Sequence, residues 1–204
     1  LFMSSNLTEM KGTQEFSISD QAKANRIASG FFASGLDFVR KITENKGSLL
    51  YMYGSSQSLI MEENGKIKYS ENFDPSVYNQ RGFYDSLEKA VEYVSSHGKW
   101  NSLYSNGCRP YLKAADRILN SGGSGYHFVF GLENNGVSIE YTEGEILSVD
   151  VCGQQVTAYE RDIVIMSEEA DQSGEMWESI EPVNILTENY AKIGQIIGTT
   201  TFEE

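Results

Sequence analysis

Residues 126–141, YHFVFGLENNGVSIEY, give the clearest indication of the fold. Apolar side chains alternate with their neighbours on both sides of Asn135-Gly136, the period-two pattern of strands with one buried face. Asn-Gly between two such runs is a strong hairpin signal, because both turn residues must accept a positive φ. The stretch therefore predicts an antiparallel hairpin near the middle of the chain.

Elements on both sides extend this pattern. A strand at 49–53, a hairpin at 58–61 and 66–69 around Asn64-Gly65, a second strand pair at 147–151 and 156–158, and a short strand at 163–166 are predicted. Helical spacing predicts helix from Ser19 onward, with Ile27, Phe31, Phe38 and Ile42 on its apolar stripe and with Gly30 and Gly35 as points that can divide it into two helices. It also predicts a helix at 85–98, one beginning at Pro110 with an inner face of Leu112, Ala115 and Leu119, and one capped by Thr187. Helices that segregate from strands in this way favour an α+β fold, with helices flanking one or two mostly antiparallel sheets.

Length and charge limit the number of domains and the classes of binding partner. A chain of 204 residues fits a single domain, and residues 1–16 are expected to form a loose lead-in. The formal net charge of −13 argues against non-specific nucleic-acid binding, which relies on basic patches. No apolar run is long enough for a membrane span, and neither the two cysteines nor the two histidines show metal-binding spacing. The chain is expected to be soluble, and to be secreted or delivered as part of a larger protein if it is a toxin.

Residues 141–147, YTEGEIL, place two carboxylates beside an aromatic residue and immediately before an aliphatic strand. Chemistry that passes through a sugar oxocarbenium ion needs one carboxylate fixed beside the sugar. A second carboxylate can orient the acceptor. Glu145 and Glu143 are therefore candidate catalytic residues, while a solvated turn between two strands is the alternative.

This segment resembles the ADP-ribosyltransferase family of bacterial toxins. In that family a Glu/Gln-x-Glu motif follows an aromatic-bearing turn and runs into an aliphatic strand, as Glu143-Gly144-Glu145 does here. A serine-bearing strand end lies upstream in the family, and Ser105 occupies that place here. The likeness covers residues 103–166, but Met52 stands on the early strand where the family usually has an arginine.

The resemblance implies an enzyme that uses NAD to modify a protein or other acceptor, and it is compatible with the toxin end of a larger polypeptide. It implies that Glu145 contacts the nicotinamide ribose and that Glu143 positions the acceptor. It also implies that Tyr53 borders the nicotinamide, with Ser105 and Tyr141 supporting the same site.

A second candidate pairs Cys108 with His127. A cysteine at a helix N-terminus can have its thiolate stabilised by the helix dipole, and a histidine on the next strand can act as its base. The segment loosely resembles papain-like hydrolases. The alternative, non-catalytic interpretation is that Cys108 is a buried side chain and His127 an exposed strand residue.

A third interpretation is not enzymatic. An acidic domain of this size can serve as an interaction module, for example an immunity protein that covers the site of a cognate toxin through charge complementarity. This interpretation predicts an exposed apolar or acidic surface in place of a catalytic cleft.

Overall fold

The computed structural model describes residues 12–14, 17–44, 47–75, 81–98, 108–120, 123–134, 137–139, 144–162 and 164–166. Within these ranges lie two helices, α1 (Gln21–Ser29) and α2 (Phe83–Gly98). The strands are β1 (Gly12–Gln14), β2 (Arg40–Thr43), β3 (Leu49–Tyr53), β4 (Gln57–Met61), β5 (Ile67–Glu71), β6 (Cys108–Asn120), β7 (Gly123–Asn134), β8 (Val137–Ile139), β9 (Leu147–Cys152), β10 (Gln155–Arg161) and β11 (Val164–Met166).

Nine of these strands form one antiparallel sheet. Its order is β2-β3-β4-β5-β10-β9-β7-β6, and β8 pairs with the end of β7 beside β9. The strands β2 to β5 follow one another as a meander. The later strands add through β10, which pairs with β5 on one side and β9 on the other. The strands β1 and β11 pair with each other in a separate two-stranded sheet.

One face of the large sheet packs against both helices and holds the core. A continuous cross-strand row on this helix face runs through Tyr51, Leu59, Tyr69, Tyr159, Val149 and Phe128, and all six are buried. Helix α2 contributes buried Leu87, Val91 and Val94 to the same cluster. Helix α1 is attached through Asn25, whose Oδ1 accepts hydrogen bonds from the Tyr51 hydroxyl and from Lys41.

The opposite face, called the open face below, carries no helix among the described residues. Two cross-strand rows cross it side by side. The first is Ile42, Leu50, Ile60, Lys68, Glu160, Ser148, Val129 and Ala114. The second is Arg40, Met52, Ser58, Ser70, Ala158, Asp150, His127 and Asp116. Apolar side chains thus lie at the β2–β4 end, and carboxylates at the β9–β6 end.

The predicted α+β class is wrong, because the described residues form mostly one nine-stranded antiparallel sheet with only two helices, so the fold is mainly β. The helix expected from Pro110 is the long strand β6. Its apolar spacing of three imitates a helix because a bulge between Leu112 and Ala114 shifts the register. Leu112 pairs with Phe130 and Ala115 with Phe128, so both fall on the helix face of the sheet. Pairing along the whole of β7 outweighs the local helical pattern.

The second helix expected before residue 46 is also absent from the described residues. Helix α1 ends at Ser29, and Gly35 adopts φ 65°, a left-handed conformation that glycine accepts readily. The chain then forms β2, where Ile42 pairs with Leu50. Phe38, expected on an apolar helical stripe, is instead 91% exposed.

Several other predictions are confirmed. The strand at β3, the Asn64-Gly65 hairpin of β4 and β5, helix α2, the hairpin around Asn135-Gly136 and the β9–β10 pair all form. Residues 12–14 of the expected loose lead-in instead form β1. The helix expected after Thr187 lies outside the described residues. In the part of the chain that the structure describes, no helix is long and apolar enough to cross a membrane.

Candidate functional site

Two residues singled out in the sequence, Glu145 and His127, lie together at the β7–β9 end of the open face. His127 is cross-strand from Asp150, and its Nδ1 contacts the Asp150 carboxylate through a short hydrogen bond. Its Nε2 lies 3.5 Å from Oε2 of Glu145. The imidazole is thus held between two carboxylates, and we call these three residues the carboxylate cluster.

The local sequence explains how the cluster forms. In β7, His127 alternates with Tyr126 and Phe128, which stack at a ring-centroid distance of 5.9 Å on the helix face. In β9, Asp150 alternates in the same way between Val149 and Val151, which are fully buried. Antiparallel register then places the two polar side chains opposite each other.

The turn before β9 brings Glu145 into the cluster. Gly144 has φ 116°, a backbone conformation that residues other than glycine rarely adopt. The carbonyl oxygen of Ile146 accepts a hydrogen bond from the backbone N–H of Asp162 at 2.8 Å, which fastens the turn to the end of β10. Glu145 is 44% exposed, whereas the side chains of His127 and Asp150 are each 27% exposed.

The cluster favours the protonated imidazole. Partial burial opposes the charge of His127, but the hydrogen bond and charge of Asp150, followed by those of Glu145, outweigh it. The pKa of His127 is therefore raised above its ordinary value. Chemically, this arrangement holds a proton on Nε2 and ties the turn at Glu145 to the sheet.

No metal site accompanies the cluster in the described part of the chain, where no three His, Cys, Asp or Glu side chains converge to hold an ion. Asp116 faces His127 from β6, but it is exposed.

The structure does not bring Tyr53 to Glu145. Leu147, two residues after Glu145, shares a cross-strand row with Arg161, Ile67, Met61 and Leu49. Tyr53 lies four residues further along β3, at the other end of the sheet, and β3 is four strands away from β9. Glu145 contacts His127 of β7, which shares a cross-strand row with Met52, so Tyr53 lies five strands away across the sheet, a distance of about 24 Å.

The remaining residues assigned by the resemblance, Glu143, Ser105 and Tyr141, lie outside the described residues. Tyr53 and Glu145 thus lie far apart across the sheet, and the NAD site that the resemblance implies stays a prediction.

Cys108 and His127 are also far apart. Cys108 pairs with Asn134, seven residues along β7 from His127, which corresponds to about 23 Å. Cys108 also begins a strand, so the helix N-terminus that would stabilise its thiolate is missing. The second cysteine, Cys152, is buried, and its Sγ accepts a 3.8 Å hydrogen bond from the Thr157 hydroxyl.

Sequence reasoning missed two features, Asp150 on the open face and Phe38 before β2. Asp150 was readable as an outward-facing residue from its alternation with two valines, but its pairing with His127 depends on strand register. Phe38 was assigned to a helical stripe, whereas its backbone has φ 64° and its ring is exposed. The only sequence indication of this conformation was that Phe38 follows Gly35 by three residues.

The open face differs in character between its ends. Half-buried Ile42, Leu50, Met52 and Ile60 form what we call the apolar patch, on β2, β3 and β4. In the middle, Lys68 pairs with Glu62 at 2.6 Å and Lys66 pairs with Glu160. The carboxylate cluster lies beyond these ion pairs.

Comparisons with known proteins leave the site to be interpreted from its own geometry. No protein-family model matches the chain, and neither a curated protein nor a solved structure matches it.

Proposed function

We propose that this chain is a non-catalytic binding domain that recognises a basic protein through the open face and Phe38. The observation that carries the proposal is Phe38 itself. It is 91% exposed and is the one non-glycine residue with positive φ among the described residues. A bulky residue in that conformation costs on the order of 1 kcal/mol or more, and such strain is concentrated at ligand contacts and switch regions.

The apolar patch lies on the strands that follow Phe38 in the chain. Phe38 lies two residues before Arg40, which pairs with Met52 of the patch. Protein interfaces combine buried aromatic anchors with half-apolar surroundings and a polar rim. An exposed phenylalanine two residues before β2, the strand on which the patch of four half-buried aliphatic side chains begins, fits that composition.

Charge indicates the chemistry of the partner. The chain carries a formal net charge of −13, and the far end of the open face adds Asp116, Glu145 and Asp150. Acidic surfaces steer and select basic partners through electrostatic complementarity. An immunity protein that covers a basic toxin is the type of binding protein that this charge and surface suit best.

Site-specific photo-crosslinking tests the proposal. Benzoylphenylalanine is placed at Phe38 in cells that produce the chain, with Tyr84 as the matched control, because Tyr84 is an aromatic residue that is 49% exposed on α2. We expect position 38 to trap one defined protein with a basic isoelectric point, and position 84 not to trap it. Equal trapping at both positions, or none at position 38, would contradict the proposal.

The trapped protein then allows an affinity measurement. Phe38→Ala is expected to weaken binding by at least about tenfold, in keeping with the effect of truncating an interface anchor. Tyr84→Ala is expected to leave the affinity unchanged. Higher salt should slow association, because complementary charges act mainly on the encounter rate.

The competing transferase hypothesis has its own experiment. The native chain and Glu145→Gln are incubated with NAD, and nicotinamide release is followed. We expect no release from either protein. Release by the native chain that is lost in Glu145→Gln would overturn the binding-domain proposal in favour of the ADP-ribosyltransferase.

A further inference from the structure

Two different kinds of contact hold the turn before β9. The carbonyl oxygen of Ile146 accepts a hydrogen bond from the backbone N–H of Asp162 at 2.8 Å, and neither of these backbone groups titrates. The side chain of Glu145 is held by a titratable group instead, because its Oε2 lies 3.5 Å from Nε2 of His127. The attachment of Glu145 therefore depends on the protonation state of the imidazole, whereas the attachment of Ile146 does not.

Carboxylates from three elements face the imidazole of His127. Asp150 on β9 contacts Nδ1, Glu145 approaches Nε2 from the turn, and Asp116 lies cross-strand on β6. The thiol of Cys152, which follows Asp150 on the same face of β9, is buried. Among the described residues, no lysine or arginine forms an ion pair with these three carboxylates. The imidazolium is thus the positive charge that the described part of the chain places against them.

The proton on Nε2 decides whether the imidazole attracts or repels Glu145. Nδ1 keeps its proton in both states, because it faces the Asp150 carboxylate through a short hydrogen bond. While Nε2 is protonated, the charged imidazole attracts the carboxylate of Glu145. Once Nε2 has lost its proton, its lone pair faces a carboxylate oxygen, and two acceptors at this distance repel each other. A single proton therefore reverses the sign of the contact.

The chain beside Glu145 can move without disturbing the sheet. Gly144 lies in a backbone region that glycine adopts freely, and nothing lies within 4 Å of a Cβ added to it. Glu145 is 44% exposed, so its side chain can turn into solvent. The strand β9 begins only at Leu147. Loss of the contact with His127 therefore releases Glu145 while β9 stays paired.

We propose that His127 is a pH-sensitive switch, which holds Glu145 against the open face while Nε2 is protonated and releases it when that proton leaves. Release turns a carboxylate outward and removes the positive charge that opposes Asp150 and Asp116. The consequence for binding rests on the proposed function. A basic partner meets a more negative open face after release, so its affinity should rise as the pH rises through the His127 midpoint.

If a partner is trapped at Phe38, its affinity tests this consequence. We expect the affinity to be about two- to fivefold higher above the His127 midpoint than below it, which is the effect that a weak, partly exposed ion pair supports. His127→Gln cannot titrate, so it should remove this rise. A rise that is equally large in His127→Gln, or no rise in the native chain, would contradict the regulatory role of the switch.

NMR of the whole chain tests the switch itself without any partner. Nuclear Overhauser contacts between the His127 ring and the Glu145 side chain are expected about one pH unit below the measured His127 midpoint. They should lose at least about half of their intensity one unit above it, where the imidazole is mostly neutral. The contact of Glu62 with Lys68 is the internal control, because the ammonium group of Lys68 keeps its proton throughout. His127 contacts of equal intensity at both pH values, or none at either, would overturn the switch.

Linkage supplies a second measurement of the same coupling. If the proton holds Glu145, then Glu145 must hold the proton, so Glu145→Gln should lower the His127 midpoint by about 0.2–0.7 of a pH unit. Asp116→Asn is the matched control, because it removes a facing carboxylate that forms no ion pair with His127 among the described residues. Both substituted side chains are exposed, so both variants should fold. A midpoint that Glu145→Gln lowers no more than Asp116→Asn does would contradict the switch, whether or not Phe38 traps a partner.

Discussion

The two faces of the large sheet each hold one histidine, and they treat it in opposite ways. On the helix face, His97 is surrounded by aromatic rings, with Phe31 at 4.8 Å and Tyr93 at 3.9 Å between centroids. On the open face, His127 contacts Asp150 and Glu145. Burial lowers the pKa of His97, whereas the carboxylates raise the pKa of His127.

The difference shows what each face is built to do. The helix face excludes water and seals α2 to the rest of the core, since Nε2 of His97 lies 2.9 Å from the carbonyl oxygen of Gly30. The surroundings of His97 therefore disfavour a charge on its imidazole. The open face keeps charged and half-buried side chains in contact with solvent. A surface that recognises a partner belongs on the open face, and the predictions below test that division.

The largest expected effect compares neighbouring residues of β4 that point to opposite faces. Leu59 is completely buried on the helix face, whereas Ile60 is half-buried on the open face. Leu59→Ala should lower the free energy of unfolding by about 2–5 kcal/mol, because it leaves a cavity in the core. Ile60→Ala should cost clearly less. Equal losses in urea unfolding would show that the open face is packed like a core.

Gly125 also lies on the open face, but we expect a substitution there to destabilise the protein. A Cβ at this position would lie 2.2 Å from the carbonyl oxygen of Val151 and 2.7 Å from Sγ of Cys152. Gly125→Ala should therefore destabilise by about 1–3 kcal/mol through overpacking of backbone against backbone. Gly82→Ala is the control, because nothing lies within 4 Å of its added Cβ. A Gly125→Ala protein as stable as Gly82→Ala would contradict the register of β7 and β9.

These residues also show how far the sequence reaches. Alternation predicted β7, β9 and β10, and the Asn64-Gly65 turn predicted the β4–β5 hairpin, because both signals are local. The strand β6 was predicted as a helix because the bulge near Leu112 changes its period, and only pairing with β7 reveals the bulge. Sheet order was equally invisible, since β10 joins β5 across a long stretch of chain.

The candidate site was predictable only in part. Glu145 was singled out as a transferase residue and His127 as a hydrolase residue. The fold brings these two side chains into contact with each other. Their meeting depends on the cross-strand register of His127 with Asp150, which no local pattern encodes. Phe38 was missed because a positive φ in a bulky residue is set by its tertiary surroundings and not by its own preference.

His97 predicts a pH dependence of stability. Its pKa in the folded state is lowered, so the unfolded chain binds the proton more readily near and below about pH 6.5. Stability should therefore fall as the pH drops from about 8 towards 5. His97→Gln should flatten part of that slope when unfolding is measured across this range. An identical slope in the variant would show that His97 is not buried among the rings.

His127 predicts a smaller effect of opposite sign. Its folded-state pKa is raised, so its contribution is present below about pH 6.5 and is lost as the pH rises through the folded-state value. The contribution should be at most about 1 kcal/mol, because partly exposed ion pairs are weak. Asp150→Asn should remove it, and added salt should reduce it in the native chain. A native chain that matches Asp150→Asn at every pH would contradict the pairing.

The most direct test of the division between the two faces is a proton NMR titration of the two histidine side chains, assigned with His97→Gln. The chain contains only these two histidines, so the spectrum is simple. The structure predicts a midpoint below about 6.5 for His97 and above it for His127. The reverse order, or two coincident midpoints, would contradict a closed helix face opposite a charged, accessible open face.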